Sequence, residues 1–370
     1  MGDNVLSHSA YQRVSSGTSS GNRTAKAKER HAQGKGLDPL VDPAGYGVIR
    51  RSLSRMNPKD LFFELTMGIA MLVEKRLDTT GSMGDNVDIA FDALPRTYEL
   101  LRKVLSRYDL QIITSIFADA VDDYMLCRSQ AEMGEKIAEQ MTMMVPESGG
   151  GGNGGEDPQF GLFGAAYLTA ADINRYGLKS YDFTVTDEPS HEYVGVDALE
   201  RVFGKEVLKK VEENGFKMSP KKLPSVKEII DALLLRAHAF VFIIGDRTDT
   251  RRYWPTVIAS ERLIFLPNTK LLPEVEVAII GLTEGVLTLD TLEDFLIDEA
   301  KCSKQDAKLI KRAVAGIPIG AQMEAENFNK IPLAGTLFKE KRDLWPIEDA
   351  DVVITESKPK KGNGKGKMWA

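Results

Sequence analysis

The chain has 370 residues, of which 42% are hydrophobic and 28% are charged, a composition that excludes a wholly disordered protein and suits one large globular domain with an appended piece. The formal net charge of −6 hides basic ends: residues 1–60 hold ten Lys and Arg against five Asp and Glu, and residues 357–370 hold five Lys and no acid. The acidic middle disfavours a surface for duplex nucleic acid, so contact with nucleic acid is expected only from the basic tails.

The sequence indicates neither a membrane span nor an oxidising compartment. The longest apolar stretch, 61–73, contains Glu64 and is shorter than the roughly 20 residues that cross a bilayer. The amino-terminal residues lack the apolar segment of a secretory signal. Cys127 and Cys302 are far apart and show no spacing of metal ligands. We therefore expect a cytoplasmic protein with two free thiols and no structural zinc.

Four regions follow one another along the chain. A basic, disordered arm is predicted over 1–47, an α/β domain over 48–272, a small helical extension over 273–345 and a Lys/Gly-rich tail over 346–370. From residue 61 onward, apolar runs of strand length alternate with helical periodicity, which is typical of βαβ units around a mostly parallel sheet. The predicted strands are 66–77, 111–117, 124–127, 181–186 and 239–245. The predicted helices of the α/β domain are 87–107, 159–176, 195–213 and 225–236.

Local signals refine this outline. Pro95 is expected to kink or divide helix 87–107, because proline cannot continue the hydrogen-bond ladder of a helix. The short spacing between 117 and 124 permits only a hairpin, so one antiparallel strand should lie in the sheet. Asp290 and Ser303 resemble the first residues of capping boxes in the extension. The predicted fold class is a Rossmann-like, doubly wound α/β fold with a mostly parallel sheet of about six strands and helices on both faces.

A string of oxygen-bearing side chains directly follows the first predicted strand. It reads Asp-Thr-Thr-Gly-Ser from Asp78 to Ser82, and a helix is predicted after it. In a loop that curls over a strand end, alternate residues point the same way, so Asp78, Thr80 and Ser82 can converge on one cation. Mg²⁺ prefers six oxygens at about 2.1 Å and readily keeps waters. The string therefore indicates a site for a small, hard divalent cation, with Mn²⁺ and Ca²⁺ as the other candidates.

This string resembles the metal-ion-dependent adhesion site (MIDAS) of von Willebrand factor type A (vWA) domains. That site begins with Asp-x-Ser/Thr-x-Ser at the carboxyl end of the first strand, and its last acidic ligand follows the fourth strand. Val-Thr-Asp-Glu at 185–188 is similar to the second motif, so the resemblance assigns Asp187 as a ligand that acts largely through water. The resemblance covers roughly residues 61–270. Here Glu-Lys-Arg precedes Leu77 and Asp78 where the family has apolar residues, so we expect the strand to be shifted or partly exposed at its end.

The middle ligand of the family is usually a threonine in a glycine-rich loop before a helix. In this chain the loop at 148–157 contains no threonine and ends in Glu156 and Asp157, as in some vWA domains attached to atypical kinases. The resemblance leaves Glu156, Asp157 and Asn153 as alternatives for this place. A carboxylate would raise the affinity for metal and lower the attraction for an acid from outside.

The resemblance implies a metal-dependent adaptor that grips a carboxylate of another protein through the cation, with a MoxR-type AAA+ ATPase as a possible partner. It implies no catalytic residue. The rival hypothesis is an enzyme in which the ion activates water on a phosphate ester, although no placed base or second-metal cluster is visible in the sequence. A structural subunit of a larger assembly is the third hypothesis.

Plainer interpretations exist for each motif. Asp78, Ser82 or Asp85 could simply cap the next helix. The glycine-rich loop could be a flexible linker; it lacks the Lys-Ser/Thr that completes a phosphate-binding loop. His191 is expected to be a solvated loop residue. Asp119, after the second predicted strand, is interpreted as structural.

Overall fold

The computed structural model describes residues 11, 25–45, 49–51, 65–67, 70–119, 124–146, 155–331 and 336–338. The strands are β1 (Ile49–Arg51), β2 (Leu65–Met67), β3 (Ala70–Asp78), β4 (Asp109–Phe117), β5 (Leu126–Arg128), β6 (Thr169–Ala171), β7 (Ser180–Thr186), β8 (Ala237–Ile244), β9 (Leu263–Leu266) and β10 (Thr336–Phe338). The helices are α1 (Ala25–Ala32), α2 (Asn86–Asp92), α3 (Leu94–Val104), α4 (Glu135–Met141), α5 (Pro158–Tyr167), α6 (Val196–Phe203), α7 (Val207–Glu213), α8 (Val226–Leu234), α9 (Thr248–Tyr253), α10 (Leu272–Thr283), α11 (Leu289–Asp298) and α12 (Lys304–Ala313).

A six-stranded sheet forms the centre of the fold, in the order β5-β4-β3-β7-β8-β9. The pairings are parallel except for β4 with β5, where Ile116 lies opposite Cys127 in an antiparallel hairpin. The predicted Rossmann-like class and its one antiparallel strand are therefore confirmed. Because β3 and β7 are adjacent and parallel, the residues that follow them meet at the same edge of the sheet.

Strand β3 differs from its prediction at both ends. It runs from Ala70 through Asp78 and all nine residues are buried, so the expected exposure of its end is wrong. Residues 65–67 form a separate strand, β2, which pairs antiparallel with β10. The charged residues of β3 alternate between the two faces: Arg76 contacts α5, whereas Lys75 Nζ lies 2.9 Å from Glu276 Oε2 of α10 on the other face.

Three predicted helices are shorter or divided. The one predicted over 87–107 is divided at Ala93 into α2 and α3, with Pro95 in the first turn of α3, as expected for proline. The one predicted over 159–176 ends at Tyr167, because residues 169–171 pair with β1 instead. The one predicted over 195–213 is interrupted at Gly204, whose φ of 83° ends α6.

Helix α10 joins the carboxyl-terminal helices to the sheet. All twelve of its residues are buried, and it packs against α3. One apolar cluster runs from Val73 of β3 through α10 to Leu292 of α11 and Ile310 of α12. Ser303 caps α12 as predicted, whereas α11 is capped by Thr288 and not by Asp290. None of the helices in the described ranges is long and apolar enough to cross a membrane.

Candidate functional site

The carboxyl ends of β3 and β7 bring the two predicted motifs into contact. Thr80 Oγ1 donates a hydrogen bond to Asp78 Oδ1 at 2.7 Å, and the Thr80 amide donates to the same oxygen at 3.0 Å. Thr80 Oγ1 lies 3.2 Å from Ser82 Oγ, which in turn donates to Asp187 Oδ1 at 2.9 Å. On the other side, Thr186 Oγ1 donates to Asp78 Oδ2 at 2.8 Å. Two carboxylates and three hydroxyls therefore form one connected group, which we call the oxygen cluster.

The local backbone explains how the loop reaches this arrangement. Residues 81–83 form a single 3₁₀ turn, and Gly84 then takes a φ of 49°, which a glycine adopts without strain. Asp85 occupies the N-cap position of α2 without a side-chain capping hydrogen bond. The interpretation of these residues as helix caps is therefore not supported, since the contacts of Asp78 and Ser82 lie within the oxygen cluster.

Glu156 reaches the oxygen cluster from a third segment. Its amide donates to Pro189 O at 2.9 Å, and its carbonyl accepts from the His191 amide at 3.1 Å, so its backbone is bound to the segment that follows Asp187. The side chain is 4% exposed, and its carboxyl interacts with Thr80 and Asp78. Glu156 Oε2 is buried without a hydrogen-bond partner. Such an oxygen is uncommon in a folded protein and calls for a polar or ionic partner.

Asp157 turns away from its neighbour. Its Oδ1 accepts a hydrogen bond from Gln159 Nε2 and lies 3.1 Å from His191 Nδ1. The His191 side chain is 37% exposed, so this histidine is partly solvated. Of the three alternatives for the middle ligand, Glu156 lies at the oxygen cluster, the hydrogen bonds above direct Asp157 towards Gln159 and His191, and Asn153 lies outside the described residues.

The acidic groups of the site have raised pKa values. Burial, followed by the charges of Asp78, Glu188 and Asp119, raises the pKa of Glu156 to about 9. Burial also raises the pKa of Asp78 to about 7, although hydrogen bonds from Thr80 and Thr186 act against it. The pKa of Asp187 is raised mainly by burial. The three neighbouring acids are therefore each difficult to ionise. A bound divalent cation would lower their pKa values and favour the carboxylate forms.

The donor set suits a hard cation. Carboxylate and hydroxyl oxygens are the ligands that Mg²⁺ and Ca²⁺ prefer. Glu156, whose carboxyl interacts with Asp78 and Thr80, adds one buried oxygen that has no hydrogen-bond partner. No group of three or more His, Cys, Asp or Glu side chains placed to hold a metal ion occurs in the ranges that the structure describes. The carboxyls of Asp78, Asp187 and Glu156 therefore do not form such a group by themselves, and the oxygen cluster adds hydroxyl oxygens to them.

Two features of the site were not assigned from the sequence. Thr186 connects Asp78 to β7 and also accepts from the Glu188 amide at 3.1 Å; its place directly before Asp187 is the signal that could have found it. Asp119 was interpreted as structural, and it is fully buried, but its charge also acts on Glu156.

Comparison with known proteins assigns no family. No protein family and no curated protein sequence matches the chain. Among solved structures, the pilus adhesin SpaC from Lactobacillus rhamnosus GG, in its open conformation, is 11% identical over 57% of this chain and 30% of the adhesin, with a TM-score of 0.37. Proximal thread matrix protein 1 from the mussel byssus is 10% identical over 58% of this chain and 46% of its own, with a TM-score of 0.34.

An aerotolerance-related membrane protein from Bacteroides fragilis is 13% identical over 57% of this chain and 88% of its own, with a TM-score of 0.24. The chain thus spans about a third of the adhesin and just under half of the byssus protein. Identities and TM-scores this low carry no argument about function. The proposal that follows rests on the geometry of this chain.

Proposed function

We propose that the chain is a vWA-type binding protein that holds a divalent cation, Mg²⁺ in the first place, at the oxygen cluster and grips another protein through it. The ligands in this proposal are Asp78, Thr80, Ser82, Asp187 and Glu156. The observation that carries the proposal is the buried, unpartnered oxygen of Glu156 beside the chain of hydroxyls and carboxylates.

Each ligand has a separate task in this proposal. Asp78 orients Thr80 through two hydrogen bonds and is itself held by Thr186, so the first carboxylate is fixed from both sides. Ser82 is exposed on the rim and connects the loop to Asp187. When bound, the cation would supply a Lewis-acidic centre that attracts an oxygen from outside. Asp157 is predicted as a ligand from the sequence. In this proposal it instead contacts His191 and so helps to hold the segment that contains Glu156.

The partner in this proposal presents an exposed carboxylate, and a MoxR-type AAA+ ATPase stays within the proposal on the resemblance alone. Because Glu156 already contributes a third carboxyl, the pull on an outside acid is weaker than with a threonine in its place. A cytoplasmic location accords with Cys127 and Cys302, neither of which is in a disulfide.

The test compares two aspartates of one loop. Asp78→Asn keeps the size of the side chain and removes its charge, and Asp85→Asn makes the same change at an exposed residue outside the oxygen cluster. Titration of MgCl₂ and MnCl₂ into metal-free protein should show one ion per chain for wild type and Asp85→Asn. For Asp78→Asn the Kd should rise by at least about 100-fold, since changes in outer-shell residues alone cost about 10–100-fold.

Recovery of partner proteins on the immobilised chain, with and without chelator, then separates the three functions. Partner binding that needs both the ion and Asp78 supports the adaptor. Equal recovery in every condition refutes the ion-dependent grip and favours a structural subunit. Turnover of a phosphate ester that Asp78→Asn abolishes would replace the adaptor by the hydrolase.

A further inference from the structure

Arg76 lies beneath the oxygen cluster on the same face of β3 as Asp78, two residues away. Its side chain is fully buried. The two terminal nitrogens donate to both oxygens of Asp182 on β7, each at 3.0 Å, and Nη1 also donates to Thr184 Oγ1 at 2.7 Å. Glu74 Oε1 accepts from Nη2 at 3.1 Å. A guanidinium held in a bidentate pair of this kind has one orientation and little freedom to move.

Helix α5 rests directly on this fixed side chain. At Gly161 the helix has no side chain, and an added Cβ would overlap Arg76 Nε and lie 2.5 Å from Arg76 Cδ. A contact that close requires a shift, and a shift of Arg76 would strain the two hydrogen bonds that its terminal nitrogens donate to Asp182. The contact between the Arg76 side chain and Gly161 therefore limits how closely α5 approaches β3.

That contact lies close in sequence to all three parts of the site. Gly161 is five residues after Glu156 and three after Pro158, which begins α5. Asp182 is five residues before Asp187 on the strand that leads into it. Arg76 thus contacts the helix behind Glu156 and the strands that carry Asp78 and Asp187.

We propose that Arg76 is a positioning residue for the candidate cation site, which sets the height of α5 above the sheet and so the placement of Glu156 beside Asp78. The inference rests on the proposed function for the identity of the ligand. Arg76 itself does not touch the ion in this scheme; it acts through Gly161 on one side and Asp182 on the other.

Two glycine substitutions in one helix test the proposal. Gly161→Ala introduces the overlap with Arg76. Gly164→Ala makes the same change one turn later, where the added Cβ would meet Phe203 at an ordinary 3.4 Å, so it is the matched control. Both gain the same helix propensity. The probe is Mn²⁺ alone, added to the 370-residue chain and followed through the electron paramagnetic resonance signal of the ion that stays free in solution.

We expect Gly161→Ala to weaken Mn²⁺ binding by about tenfold or more, the size typical of changes in residues that orient ligands. Gly164→Ala should stay within about twofold of wild type, which is the level of variation between independent sites. Hydrogen exchange of metal-free protein gives a second readout. The amides of Glu156 and His191, which bond to Pro189 O and Glu156 O, should exchange faster in Gly161→Ala only.

Equal Mn²⁺ binding and equal exchange for Gly161→Ala and wild type would overturn the proposal, as would the same losses in both alanine variants. If circular dichroism shows that Gly161→Ala does not fold, the variant Arg76→Lys tests the proposal instead. It keeps a charge against Asp182 but loses the planar fork, so exchange at Glu156 should rise, and unchanged exchange refutes the proposal. Absence of Mn²⁺ binding by wild type would refute the proposed function, while the exchange contrast still tests how Glu156 is positioned.

Discussion

The buried charges under the site predict a large loss of stability for one conservative substitution. Asp182→Asn replaces the carboxylate that accepts two hydrogen bonds from Arg76 at 3.0 Å, where both side chains are at most 3% exposed. The amide can accept one of these bonds, and its NH₂ group faces the guanidinium. Removing one partner of a buried ion pair typically costs about 3–5 kcal/mol, because the remaining charge is left without water or a counter-charge.

Glu74 does not compensate for the loss, because it is already shared. Arg128 donates to its two carboxyl oxygens at 2.8 and 2.5 Å, and Arg76 contacts one of them. Although burial raises the pKa of Glu74, the guanidiniums of Arg128 and Arg76 lower it below its ordinary value, so this carboxylate is ionised in wild type. Without Asp182, two arginines face one carboxylate.

The assay is urea unfolding at neutral pH, followed by circular dichroism and by tryptophan fluorescence, since Trp254 is fully buried. The control is Asp231→Asn, which breaks the exposed pair with Lys227 on α8, whose side chains are 56% and 58% exposed. An exposed pair of this kind contributes about 0–1 kcal/mol. If Asp182→Asn loses no more free energy of unfolding than Asp231→Asn, the reasoning about buried charge is wrong.

Three further substitutions test how the stability of the fold depends on pH and which acid is the ligand. Burial lowers the pKa of His238 to about 4, so this histidine is neutral in the folded protein at neutral pH. Its contribution to the free energy of unfolding is therefore complete above about pH 6.5 and is lost as the pH falls toward 4. Between pH 7.5 and 4.5 wild type should therefore lose about 2.5 kcal/mol more than His238→Gln in urea unfolding, and equal losses would contradict this. Glu156→Gln should weaken Mn²⁺ binding by about tenfold or more, because Glu156 lies at the oxygen cluster. Asp157→Asn should change it by less than about threefold, because Asp157 contacts Gln159 and His191. The reverse order would assign the ligand to Asp157.

Much of the fold follows from local pattern. The hairpin of β4 and β5 was predictable because so few residues connect two apolar runs, and β7 and β8 because each is a short buried run ending at a turn. The division at Pro95 follows from the chemistry of proline. The oxygen cluster was predictable in part, because Asp78, Thr80 and Ser82 form one motif and Asp187 directly follows the adjacent strand β7.

The remainder depends on contacts between distant residues. Helix α5 ends at Tyr167 because residues 169–171 pair with β1, some 120 positions earlier, and no local signal reports that pairing. Neighbouring acids, Glu156 and Asp157, point to different partners because the backbone of Glu156 is bonded to Pro189 and His191. The buried charges of β3 contradicted the expectation of an exposed strand end, because their counter-charges lie on β5, β7 and α10.

The complete burial of α10 limits how the chain can be shortened for expression. A fragment that ended before Leu272 would uncover the apolar side of α3 and the adjoining face of β3, which α10 covers in the intact chain. An apolar area of that kind favours aggregation in water. Recombinant versions of the sheet should therefore retain α10 and the two helices that follow it, with their carboxyl end placed beyond Ile331, which still contributes to the same core.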